Sequence, residues 1–78
     1  GYSFADKSFI SLHFSGNIAV IKTRPGYASS IASEIDEKAA NETLGTVAGD
    51  DTIFIVMKEN ITPYDLRKVL STFIPNLN

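Results

Sequence analysis

Leu44-Gly45-Thr46-Val47-Ala48-Gly49-Asp50-Asp51-Thr52-Ile53-Phe54-Ile55-Val56-Met57 holds the turn from which the fold is read. Thr52 to Met57 is β-branched, aromatic and apolar, the composition of a strand. Leu44 to Gly49 is short and apolar. Gly49-Asp50-Asp51 between them reads as a tight connection, so the two runs form a hairpin. Working back toward the N-terminus, Lys7 to Phe14 alternates, with Ile10, Leu12 and Phe14 on one face and Phe9, Ser11 and His13 on the other. Ser15-Gly16-Asn17 is a turn signal, and Ile18 to Thr23 is again β-branched and apolar. That makes a second hairpin.

Between the hairpins the period changes. Arg24 precedes a proline and is biased toward an extended backbone, and Pro25 suits the first turn of a helix. Ala28, Ile31, Ala32, Ile35 and Ala39 recur at helical spacing, and the pattern fades by Asn41. After the second hairpin, Thr62-Pro63-Tyr64-Asp65 carries a helix start: Thr62 as N-cap, Pro63 at the first position and Asp65 three residues on. Leu66, Val69, Leu70, Phe73 and Leu77 form its apolar stripe, with Pro75 expected to fray the last turn. The order ββαββα predicts an α+β (α/β) two-layer sandwich, a four-stranded antiparallel sheet with two helices on one face. The opposite sheet face is left bare. In the last strand Phe54 and Val56 point opposite to Ile53, Ile55 and Met57, so neither face is polar. A contiguous exposed apolar surface of that kind marks an interface.

Composition narrows the function. The chain has 78 residues, a formal charge of −2, no cysteine and one histidine. Its length fits one domain spanning 1–78. A slightly acidic chain is a poor nucleic-acid binder by itself, because phosphate contacts need clustered Lys and Arg. The cysteine count removes disulfide scaffolds, thiolate metal sites and cysteine nucleophiles. One histidine removes multi-His zinc sites. No apolar run approaches the ~18 residues of a membrane span, and no basic-then-apolar leader opens the chain. Both fit a cytoplasmic protein with no membrane partner. The chain opens on Gly1 rather than Met and reads as an excised piece, with Gly1 as a tag remnant. At 44% hydrophobic it is globular, yet one core of this size rarely supplies more than ~3–5 kcal/mol. Oligomerisation is the expected supplement.

Asp50 and Asp51 are the residues best placed for chemistry. Adjacent carboxylates on a tight turn repel each other and need water, a metal, an arginine or a cationic ligand. An ordinary solvated turn is one reading, since Asp is favoured in turns for backbone reasons. Half of a hard-cation site is another, provided further acids converge. A cationic ligand is the third. At ~100° per residue, Asp36 lies about 80° from the centre of the first helix's stripe, and Ser29 falls nearly above it. Both sit on the helix shoulder, where packed units meet. A solvated helix edge explains them equally well. His13, on the outer strand face with Phe9, fits an interface better than catalysis. Lys22 and Arg24 solvate a strand end, and Arg67-Lys68 is the wet face of the last helix.

The block Leu44-Gly45-Thr46-Val47-Ala48-Gly49-Asp50-Asp51-Thr52-Ile53-Phe54 resembles the C-terminal domain of bacterial arginine repressors. Val20-Ile21-Lys22-Thr23-Arg24-Pro25-Gly26-Tyr27-Ala28 resembles the strand-to-helix junction of the same family. The likeness runs from about Ser8 to Leu77, and the Gly-Thr-Val-Ala-Gly-Asp-Asp-Thr block is its specific part. The resemblance implies homotrimers that pair into homohexamers, with L-arginine bound as co-repressor where trimers meet and no other cofactor. It also implies a separate N-terminal domain, absent from this chain, that reads operator DNA. Asp50 and Asp51 match the family's ligand-binding acidic pair, Ala48 a residue contacting arginine through its backbone, and Asp36 the helix carboxylate of the same pocket. Ser29 stands where a longer Gln or His is expected, which implies a lost or water-bridged contact. No metal or catalytic residue is implied. The rival of a different class is a ligand-independent assembly domain, in which the acidic pair is only a turn. An enzyme of the pterin-dehydratase kind shares the layout but relies on several histidines, and only His13 exists here.

Overall fold

The computed structural model describes residues 8–77. Gly1, and Lys7 at the expected start of the first strand, lie outside that range. Six elements follow in the expected order: β1 (Phe9–Ser15), β2 (Ile18–Thr23), α1 (Ala28–Lys38), β3 (Thr43–Ala48), β4 (Thr52–Met57) and α2 (Pro63–Leu70). The four strands form one sheet in the order β1-β2-β4-β3, antiparallel throughout. β2 and β4 are therefore central, and β1 and β3 are edges. The β1–β2 turn closes at the Ser15–Ile18 pair with Gly16 at φ +59°. A two-residue hairpin turn of the primed type needs positive φ at its first central position, which glycine adopts without strain.

The core is a single cluster. Leu12, Ala19, Ile21, Ile53, Ile55 and Met57 supply the inner sheet face. Ala28, Ile31, Ala32 and Ile35 of α1 and Leu66 and Leu70 of α2 cover it, so both helices lie on one face of the sheet. The helical spacing read from α1 is the buried stripe, with Ala39 buried just beyond its end.

Three details depart from the sequence reading. First, the β1 register shifts between Phe9 and Ser11. Ile10 and Ser11 together oppose one partner, a bulge that breaks the period of two. Phe9 thus packs against the core and Ile10 is turned out, 60% exposed. The β3 edge carries a matching shift between Thr43 and Gly45, leaving Leu44 72% exposed. Second, Pro25 is not in the helix. α1 begins at Ala28, and its N-cap Tyr27 makes no side-chain cap bond. Third, α2 stops at Leu70, well before Pro75. Ile74, which the stripe omitted, is fully buried beside Leu77, tied by its amide to the Leu70 carbonyl at 2.8 Å. After Leu70 the chain continues as a tighter turn, in which the Thr72 amide donates to the Val69 carbonyl and the Phe73 amide to the Leu70 carbonyl, both at 3.1 Å. Pro75 restricts Ile74, the residue before it, to an extended backbone and so bars any return to helix.

The outer sheet face is uncovered. Strand register aligns His13, Val20, Phe54 and Val47 in one row across all four strands. Phe54 is 54% and Val47 74% exposed. His13 does lie on this face and is exposed, but the bulge has taken Phe9 off it.

Candidate functional site

Gly49, Asp50 and Asp51 connect β3 to β4, and the Gly49 amide donates to the Thr52 carbonyl at 2.8 Å. The acidic pair does structural work through its backbone. The Asp51 carbonyl accepts from the Thr23 amide at 2.8 Å, and the Asp50 carbonyl accepts from Gly26 at 3.0 Å and from Ala28 at 3.4 Å. The first turn of a helix has amides with no partner inside the helix. Here a distant carbonyl serves in place of a capping side chain. Gly26, at φ +88°, makes the bend that delivers these amides. With both carbonyls engaged, the backbone of the turn is fixed while both side chains remain exposed.

The two carboxylates differ. Asp51 Oδ1 accepts from the Thr52 hydroxyl at 2.8 Å, and Lys22 Nζ donates to that same hydroxyl at 2.7 Å. Lys22 is thus attached to the acidic turn rather than merely solvating a strand end. Asp50 forms no side-chain hydrogen bond and no ion pair among the described residues. The ion pair found there, Lys38 with Glu34 at 2.8 Å, lies elsewhere on α1. Among the described residues no group of three or more acids or histidines gathers to hold a metal.

Ser29 follows Ala28, whose amide points at the Asp50 carbonyl, so it stands near the turn on the exposed side of α1. Ala48 is half-buried at the end of β3. Asp36 is farther off. Seven residues of helix separate it from Ser29, about 10 Å along the axis. Its Oδ1 accepts from the Thr46 hydroxyl of β3 at 2.9 Å. Asp36 and Thr46 line a shallow hollow with Ala40, Thr43, Leu44 and Gly45. The five expected residues therefore fall into two groups: Ala48, Asp50, Asp51 and Ser29 at one end of the α1–β3 border, and Asp36 further along it. Within one chain Asp36 does not meet the acidic pair. Thr46 is a residue that sequence reasoning passed over, although its period of two with Ala48 places it on the helix side of β3. Arg67 is half-buried rather than wet, its guanidinium 5.8 Å from the centre of the Phe14 ring.

The two segments joined by these backbone bonds are the ones that carried the resemblance. A family model described as the arginine repressor C-terminal domain matches residues 5–71. The chain belongs to this family. An arginine repressor of Bacteroides fragilis is 60% identical over 73 residues, covering 94% of this chain and 46% of the relative. One of Bacteroides thetaiotaomicron is 54% identical over 77 residues, 99% of this chain and 49% of the relative. One of Thermotoga petrophila is 52% identical over 54 residues, 68% of this chain and 36% of the relative. The chain spans about half the length, or less, of the curated arginine repressors it matches. Among the described residues, no helix of this arginine repressor domain is long and apolar enough to cross a membrane.

Proposed function

We propose that this domain assembles copies of a cytoplasmic, arginine-responsive transcription regulator of arginine metabolism and binds L-arginine at the junction between trimers. Asp50 and Asp51 receive the ligand's positive groups, Asp36 and Ser29 contribute from α1, and Ala48 contributes through its backbone. Operator DNA is read by a separate N-terminal domain. Family membership supports the assignment. The structural observation that carries it is the Asp50 carboxylate, exposed and without a hydrogen-bond or ion-pair partner among the described residues, on a turn whose two aspartate carbonyls are both hydrogen-bonded.

Arginine suits such a group. Its guanidinium is a planar fork of donors that pairs bidentately with a carboxylate, and its α-amino group offers a second cation. Charge-assisted hydrogen bonds of this kind contribute ~1.5–3 kcal/mol each. Acidic turns of facing subunits would concentrate negative charge where trimers meet, and arginine neutralises it. The ligand shifts assembly only if it binds the hexamer better than separate trimers. A stable hexamer then presents several DNA-reading domains together, raising operator affinity through multivalency.

Calorimetric titration with L-arginine and with L-citrulline, which keeps the shape and lacks the guanidinium charge, tests the chemistry. Binding of arginine and not citrulline, with light scattering showing trimers passing to hexamers, is expected. Oligomers indifferent to arginine would instead mark a ligand-independent assembly domain.

A further inference from the structure

We propose that Thr52 and Lys22 are positioning residues of the acidic turn, holding one oxygen of Asp51 inside its own chain so that its other oxygen and the Asp50 carboxylate face the ligand's cation. The proposal rests on the arginine reading above and adds residues to it.

Lys22 Nζ, Thr52 Oγ1 and Asp51 Oδ1 stand in a line with separations of 2.7 and 2.8 Å. The direction of each bond follows from the groups. An ammonium only donates and a carboxylate only accepts. The hydroxyl between them must take a proton from Lys22 and give its single proton to Asp51. Lys22 and Thr52 are cross-strand partners on β2 and β4, the two central strands. The line is therefore anchored on a cross-strand pair of the central strands, and it ends on one oxygen of one aspartate.

Two consequences follow for a cationic ligand. Asp51 arrives with its carboxylate already oriented, so binding does not have to freeze that rotation. Lys22 reaches Asp51 only through the hydroxyl, with no direct ion pair among the described residues. Its charge therefore does not occupy the ligand's place. The adjacent acids divide the work: Asp51 is fixed, and Asp50 adapts.

Calorimetry with L-arginine on paired variants of the chain tests this. Thr52→Val keeps the β-branched shape without the hydroxyl, and Thr52→Ser keeps the hydroxyl without the methyl. The valine variant is expected to bind about tenfold more weakly, while serine stays within about twofold of the parent. Lys22 is exposed, so its variants fold. Lys22→Gln and Lys22→Met lose the same charge, but only glutamine retains an N–H for Thr52. Glutamine is expected to bind about threefold more tightly than methionine. Equal affinities within the Lys22 pair, or a valine variant that folds and binds like serine, would overturn the proposal. A parent chain that binds no arginine at all overturns the acidic-turn reading as well. A parent that binds beside indifferent variants overturns the positioning roles alone.

Discussion

At the scale of the residue, Asp50 combines two separable functions. Its carbonyl ends the strand-to-helix junction by accepting from Gly26 and Ala28, and its side chain is exposed with no partner among the described residues. Asp50→Asn keeps the first and removes the charge of the second. The variant is expected to melt at the parent temperature and to bind arginine about tenfold more weakly, since one charge-assisted pair is lost. Calorimetry beside a thermal melt separates the two, and unchanged affinity would remove Asp50 from the site. Gly26→Ala should do the reverse. Its φ of +88° is a region that side chains rarely adopt, and no neighbour lies within 4 Å of the added methyl. The cost is backbone strain alone, about 1–2 kcal/mol, measurable as a lower urea midpoint at constant slope. The position of the acidic turn was legible in the sequence because Gly-Asp-Asp interrupts two apolar runs. The duty of its carbonyls was not, because the amides they serve lie more than twenty residues upstream and no local pattern announces them.

At the scale of the element, the two helices begin by different means, and that decides which start could be read. α2 carries a complete capping box: the Asp65 amide donates to Thr62 Oγ1 at 3.1 Å, and the Thr62 amide donates to Asp65 Oδ2 at 2.9 Å. Both partners sit within four residues, so Thr-Pro-Tyr-Asp disclosed the helix directly. α1 borrows its cap from the β3–β4 turn, and Pro25 misplaced its start. The bulges at Ile10 and Leu44 were equally hidden, because an inserted residue shifts the register without altering composition. The capping box also makes a pH prediction. The Thr62 amide, then its hydroxyl, hold the Asp65 carboxyl below its ordinary value of 3.8. A carboxyl depressed in the folded state stabilises fully above its unfolded value and loses that contribution as pH falls through the folded one. Acid titration of thermal stability should therefore show a loss below about pH 4 that is reduced in Asp65→Asn. Thr62→Ala is expected to cost about 1 kcal/mol at neutral pH, read from urea denaturation.

At the scale of the whole molecule, the inner face of the sheet is fully used and the outer face is not. Fold class was legible because the strand and helix periods are clean. The bare face was legible because β4 is apolar on both sides, so one side had to remain outside. A domain this small gains little from one core, and Phe54 and Val47 on the central row of that face are about as exposed as the edge bulges. If copies of the chain cover this row, folding and assembly are linked, and the melting temperature must rise with protein concentration. Phe54→Glu tests the same surface from the other side. Phe54 contributes nothing to the inner core, so the variant keeps its strand and its register. A buried carboxylate without a partner is strongly unfavourable in an interface, so the assembly should break. Sedimentation should then find Phe54→Glu as a smaller species than the parent at equal concentration, with a strand-and-helix circular dichroism spectrum and a melting temperature that no longer depends on concentration. A variant that assembles like the parent would mean that the interface lies on another face of the domain.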